Sequence, residues 1–87
     1  MYIIIVYDVE QKRVAKVCKY LRKYLHWIQN SVFEGEVSEG KFKELQTGLK
    51  RIINKEVDSI LFFKLRASYD VEKEVMGVEK APVESIL

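Results

Sequence analysis

The chain has 87 residues, 48% of them hydrophobic, with four Gly, one Pro and a net charge of +2. For a mass of 10.3 kDa, surface scaling lets folding bury roughly 64% of the unfolded area, which is marginal for a lone domain. Length excludes a multidomain enzyme and a domain with a complete dinucleotide site, and composition excludes extended disorder.

Tyr2-Ile3-Ile4-Ile5-Val6-Tyr7 is a continuous β-branched and aromatic run ending at Asp8. It predicts a strand buried on both faces. The run is too short for a signal-peptide core or a bilayer span, so the chain is expected to be soluble and cytoplasmic with no membrane partner. Lys12 to Leu25 predicts a helix, with Val14, Val17, Cys18, Leu21 and Leu25 on its apolar face. His26 to Val37 predicts two short strands, or one bent strand, around an Asn30-Ser31 turn. Gly35 there suggests a bulge or a close backbone approach.

Ser38 is the expected N-cap of a second helix, whose apolar stripe is Phe42, Leu45, Leu49, Ile52 and Ile53. Gly48 inside it costs about 1 kcal/mol relative to Ala by propensity. Asp58 to Arg66 predicts the next strand. Residues 67–81 read as irregular, and Val83 to Leu87 as a short edge strand after Pro82.

This order gives an α+β chain with the split β-α-β pattern of the ferredoxin-like fold, βαββαβ, plus an extra C-terminal edge strand. Residues 1–66 form the core, and 67–87 a variable tail of the same domain. Two helices can cover only one sheet face. The other would carry Tyr2, Ile4 and Val6 beside a face of the 58–66 strand, a large apolar patch for a soluble monomer. A homodimer packed through the open sheet face is expected.

Charge is unevenly spread. Residues 1–30 carry Lys12, Arg13, Lys16, Lys19, Arg22 and Lys23 against Asp8 and Glu10, while residues 70–87 are net acidic. Lys12, Lys16, Lys19 and Lys23 are spaced by four, three and four, so they share a helix face, with Arg13 and Arg22 beside it. Such a stripe suits a nucleic-acid backbone, although a solvated lysine face is its more common meaning. Asp8 ends the most apolar strand beside that helix. A carboxylate so placed can hold magnesium against a phosphate, with a second Asp8 supplied across a two-fold axis. Asp8 and Gln11 also fit a capping box, which would make Asp8 only a cap.

Tyr20, Tyr24, Trp27 and Phe33 could stack bases, but Trp27 and Phe33 read better as core or interface residues. His26, the only histidine, reads as structural, and Glu34 and Glu36 as solvated. Cys18 is alone, so no intrachain disulfide forms, and one Cys with one His cannot complete a structural zinc site. GxGxxG, Walker, GxSxG and HExxH motifs are absent, removing sequence support for the chemistries they serve.

Three segments carry a family resemblance. Met1-Tyr2-Ile3-Ile4-Ile5-Val6-Tyr7-Asp8-Val9, Arg13-Val14-Ala15-Lys16-Val17 and Ile28-Gln29-Asn30-Ser31-Val32-Phe33-Glu34-Gly35-Glu36 resemble, in order, the small CRISPR-associated adaptation nuclease family that partners the CRISPR integrase. The resemblance covers about residues 1–66. It implies a ferredoxin-like homodimer in which Asp8 of both chains faces the two-fold axis, binds one magnesium ion and is catalytic. It implies a metal-dependent endonuclease or endoribonuclease acting on single-stranded RNA or duplex DNA, and the central scaffold of the integrase complex in spacer acquisition. Lys12, Arg13, Lys16, Lys19 and Lys23 would bind the nucleic acid, with Tyr7 and Phe33 as possible substrate contacts, and the tail would contact the integrase. Trp27 and Gln11 occupy positions that are basic in some relatives. The alternatives are a non-catalytic duplex-DNA scaffold and a toxin-type endoribonuclease related to virulence-associated protein D.

Overall fold

The computed structural model describes residues 1–67 and 70–80. Seven elements follow in order: β1 (Tyr2–Asp8), α1 (Gln11–Leu21), β2 (His26–Gln29), β3 (Val32–Glu36), α2 (Glu39–Ile52), β4 (Ser59–Ala67) and β5 (Asp70–Gly77). They make one antiparallel sheet in the order β2-β3-β1-β4-β5. The first four strands have the ferredoxin-like arrangement, and β5 is added outside β4.

Alternation along β1 divides the molecule. Ile3, Ile5 and Tyr7 are buried beneath the helices with Phe33, Ile60 and Phe62, against Val17, Leu21, Phe42, Leu45 and Leu49. Tyr2, Ile4 and Val6 point to the opposite face and are only half-buried. The register sets Leu65, Phe63 and Leu61 beside them on β4, and Val71 and Val75 beyond on β5. Both helices therefore lie on one side, and the other side of the sheet is an apolar field with Val71 60% exposed.

Ser38 caps α2 as expected, its hydroxyl accepting from the Lys41 N–H at 3.1 Å. Helix α1 stops earlier than its apolar spacing suggests, at Leu21. Residues 22–24 form a turn, and Leu25 is still buried because the chain turns back onto the core there. Asp8 does not cap this helix. Glu10 holds that position, with no side-chain cap hydrogen bond. The bulge lies in β2, between Trp27 and Gln29. Gly35 is instead a close approach, with Leu25 Cδ2 3.0 Å from where a Cβ would sit.

The expectation of irregular structure over residues 67–81 is overturned, because Asp70–Gly77 pairs with β4 along its length. Hydrophobic alternation is weak in Asp70-Val71-Glu72-Lys73-Glu74-Val75-Met76. Cross-strand charge holds the strand instead, through Lys64 to Glu74 at 2.9 Å and Arg66 to Glu72 at 3.2 Å. Charged side chains also suit a strand near the sheet edge. The strand expected at Val83 to Leu87 lies outside the described residues.

Gly48 is where the helices meet. The Tyr20 hydroxyl of α1 lies over it and donates to the Glu44 and Leu45 carbonyls, each at 3.2 Å. A Cβ at Gly48 would collide with that hydroxyl. Gly48→Ala should therefore lower the thermal unfolding midpoint, because overpacking of about 1–3 kcal/mol outweighs the gain of about 1 kcal/mol in helix propensity. An unchanged or raised midpoint would show that Tyr20 yields freely.

Candidate nucleic-acid and metal site

The C-terminal end of β1 brings Asp8 out of the sheet on the face opposite the helices, in register with Ser59 of β4. Its side chain is 72% exposed. The Lys80 ammonium lies 3.3 Å from Asp8 Oδ2. Among the described residues, no three His, Cys, Asp or Glu side chains gather into a metal site. One chain thus offers one carboxylate with a cation already against it.

What holds this end of β1 is a residue that sequence patterning left unremarked. Asp58, just before β4, is fully buried. Oδ1 accepts from the Glu10 N–H at 3.0 Å and from Arg13 NH2 at 3.0 Å. Oδ2 accepts from Arg13 Nε at 2.6 Å and from the Asn54 N–H at 2.8 Å. The Arg13 guanidinium, followed by the two backbone donors, outweighs burial and draws the Asp58 carboxyl down from 3.8 to about 2. The Asp58 carbonyl accepts from the Val78 N–H at 2.8 Å. That close return needs Gly77, at φ +84, where a Cβ would strike the same carbonyl. Val78 is thus pinned two residues before Lys80, beside Asp8.

Arg13 therefore stands apart from the basic stripe. Its side chain is only 14% exposed and is committed to Asp58, with a further contact to Glu10 at 2.7 Å. Of the residues expected to bind nucleic acid it is the one whose charged group is held by a buried carboxylate. Lys12, Lys16 and Lys19 are exposed on α1, over about 10 Å of helix. Lys23 lies in the turn beyond α1, exposed, with Nζ 5.8 Å from the Tyr20 ring.

Tyr7 and Phe33 are buried at 3% and 0% exposure, with their rings stacked at 6.2 Å between centroids. Burial raises the Tyr7 phenol above its usual value. Neither ring is open to a substrate in this chain, because both side chains fall on the helix-covered face. Of the two places expected for Trp27, core or interface, the structure removes the core. Trp27 sits on edge strand β2 and is 51% exposed. A cleft of about 990 Å³ between the end of α2 and β5, bordered by Lys50, Asn54, Phe62 and Met76, includes neither Asp8 nor the lysine stripe. No helix among the described residues is long and apolar enough to cross a membrane.

Comparison with known proteins gives a consistent result. Residues 1–74 match the family described as CRISPR associated protein Cas2. The chain is 51% identical over 87 residues to a Thermococcus kodakarensis protein named CRISPR-associated endoribonuclease Cas2, covering all of both chains. It is 48% identical over 87 residues to a Methanothermobacter thermautotrophicus protein of the same name, covering 96% of that protein. A crystal structure of Cas2 superposes with a TM-score of 0.74 at 47% identity, covering 95% of this chain and 93% of that one. Streptococcus pyogenes Cas2 superposes at 0.71 with 33% identity, covering 79% of this chain and 90% of its own.

Asp58→Ala strands Arg13 and two backbone N–H groups in a buried setting, so denaturant unfolding at neutral pH should show a loss of about 3–5 kcal/mol. The pH dependence has a definite sign. The folded carboxyl titrates below the unfolded one, so its contribution is complete above about pH 4 and is lost as pH falls through about 2. Thermal unfolding of the wild type should weaken through that window. The part of the slope due to Asp58 should be absent in Asp58→Ala.

Proposed function

Because the chain belongs to the CRISPR associated protein Cas2 family, we propose that it is a homodimeric, magnesium-dependent endoribonuclease or endonuclease of CRISPR adaptation. One observation carries the reading: Asp8 lies on the rim of the apolar face that the helices leave open. A two-fold packing of that face covers Tyr2, Ile4, Phe63 and Leu65 and gathers two Asp8 carboxylates at its edge. The relatives' printed names support the chemistry, since they are called endoribonucleases.

The residues present fit half of a magnesium site. Magnesium takes one or two carboxylates and completes its shell with water and substrate oxygens. The Lys80 ammonium beside Asp8 Oδ2 supports the fit, because this exposed carboxylate already accepts a cationic partner. When bound, magnesium would supply Lewis-acid polarisation of a phosphoryl oxygen and charge stabilisation. Asp8 is the residue that would hold the ion, at the end of the basic helix that would bind the phosphate backbone. Lys80 would have to give up its contact with Asp8 for that carboxylate to serve as a ligand. Asp58 and Arg13 keep the end of β1 from shifting, so the two carboxylates meet at a fixed spacing. Lys12, Lys16 and Lys19 neutralise backbone phosphates along α1. The same basic dimer is suited to serve as the scaffold on which the CRISPR integrase subunit holds a duplex.

Asp8→Asn should abolish magnesium-dependent cleavage of single-stranded RNA and duplex DNA while leaving the unfolding midpoint unchanged, because Asp8 supports no core contact. Persistent cleavage by that variant would count against Asp8 as the ligand. Replacing Lys12, Lys16 and Lys19 together with Gln should reduce the slope of log affinity against log salt by about 2 to 3. An unchanged slope would return the stripe to a solvated face.

A further inference from the structure

Trp27 is the largest exposed apolar side chain among the described residues, and it is the chain's only tryptophan. Its ring is fixed. The indole Nε1–H donates to the Asn30 carbonyl at 3.0 Å, and the Arg22 guanidinium lies over the ring with Cζ 5.8 Å from its centroid. Trp27 opposes Phe33 in the β2–β3 ladder, so it projects from the helix side of the sheet at its outer edge. There it meets the C-terminal end of α1, where Lys19, Arg22 and Lys23 are exposed. The Asn30-Ser31 turn that anchors the indole is also bonded to β1 next to Asp8, through the Tyr7 N–H to the Ser31 carbonyl at 3.0 Å.

A held, half-exposed aromatic ring with a guanidinium packed on it, at the basic end of a helix, is matched to one chemistry. We propose that Trp27 is a stacking platform for an unpaired base of single-stranded nucleic acid, with Arg22, Lys23 and Lys19 receiving the phosphates on either side. An aromatic face stacks any base, and cations track the backbone. A duplex offers no free base face except at its ends. The platform would thus add affinity for single strands that the lysine stripe of α1 does not provide. Charge complementarity favours this occupant over a second protein: Arg22 packs on the ring, Lys19 and Lys23 are exposed at the same end of α1, and Gln29 and Asn30 continue the strand without an acidic group. The inference deepens the nucleic-acid reading of the preceding subsection and rests on it.

The test uses tryptophan emission, which reports this site alone. A single-stranded oligouridylate should quench it saturably without metal, and a blunt duplex of equal charge should not. In parallel, anisotropy of the labelled strands measures affinity. Trp27→Leu should weaken oligouridylate binding about tenfold or more and leave duplex binding unchanged. Trp27→Phe should retain most of the single-strand affinity. Oligouridylate that binds with no change in emission, or with equal affinity for Trp27→Leu, would overturn the platform while sparing the nucleic-acid reading. Emission that follows protein concentration instead would overturn it in favour of a contact between copies. If neither strand type binds, the nucleic-acid reading fails and the platform fails with it.

Discussion

A buried carboxylate organises one end of this molecule. Asp58 takes four hydrogen bonds, from Glu10, Asn54 and twice from Arg13. Those partners belong to the β1–α1 loop, the α2–β4 loop and the first turn of α1. The backbone carbonyl of the same residue receives Val78 after β5. Two connections, the first turn of α1 and one strand exit thus converge on a single residue. Burying such a charge costs several kcal/mol, and the full set of donors offsets that cost. The geometry tolerates little change, because losing any donor leaves the carboxylate short in a place water does not reach. Asp8 is two residues from Glu10, so its backbone inherits this rigidity while its side chain stays in solvent.

The second constraint is the count of faces. Two helices bury Ile3, Ile5, Phe33 and Phe62, and among the described residues no helix remains for Ile4, Val6, Phe63 and Leu65. An 87-residue chain with an apolar sheet face is an incomplete burial problem. The proposed second copy would solve it with the surface already present. The proposed dimer would also place the single carboxylate at a two-fold rim, where one Asp8 per chain becomes a pair. Stability and site assembly then share one cause, and the Asp58 cluster keeps the rim at a constant height above the sheet.

Much of this was legible in the sequence. The β-branched opening run, the two amphipathic stripes and the Ser38 cap specified the ferredoxin-like order, because period and capping are local signals. Strand β5 escaped because its stabilisation lies in charge pairs between strands, which hydrophobic alternation does not register. The end of α1 escaped because Leu25 keeps the helical spacing while the chain has already turned. At the candidate site, Asp8 was legible as the polar end of an apolar strand. The partnership of Arg13 and Asp58 was not, since their separation in sequence carries no pattern. Arg13 looked like one more member of a basic run. Trp27 read as core or interface, because composition cannot tell an edge strand from a central one. Gly48 read as a propensity cost until the Tyr20 hydroxyl over it showed why a side chain has no room.

The central claim is that one metal site is built from two chains. The most direct measurement is the binding stoichiometry of manganese, as a paramagnetic substitute for magnesium, on protein whose mass is determined in the same solution. The account predicts a particle of two chains that holds one ion per pair, with binding lost in Asp8→Asn while the pair stays intact. One ion per chain on a monomer, or undiminished binding by the variant, would contradict it.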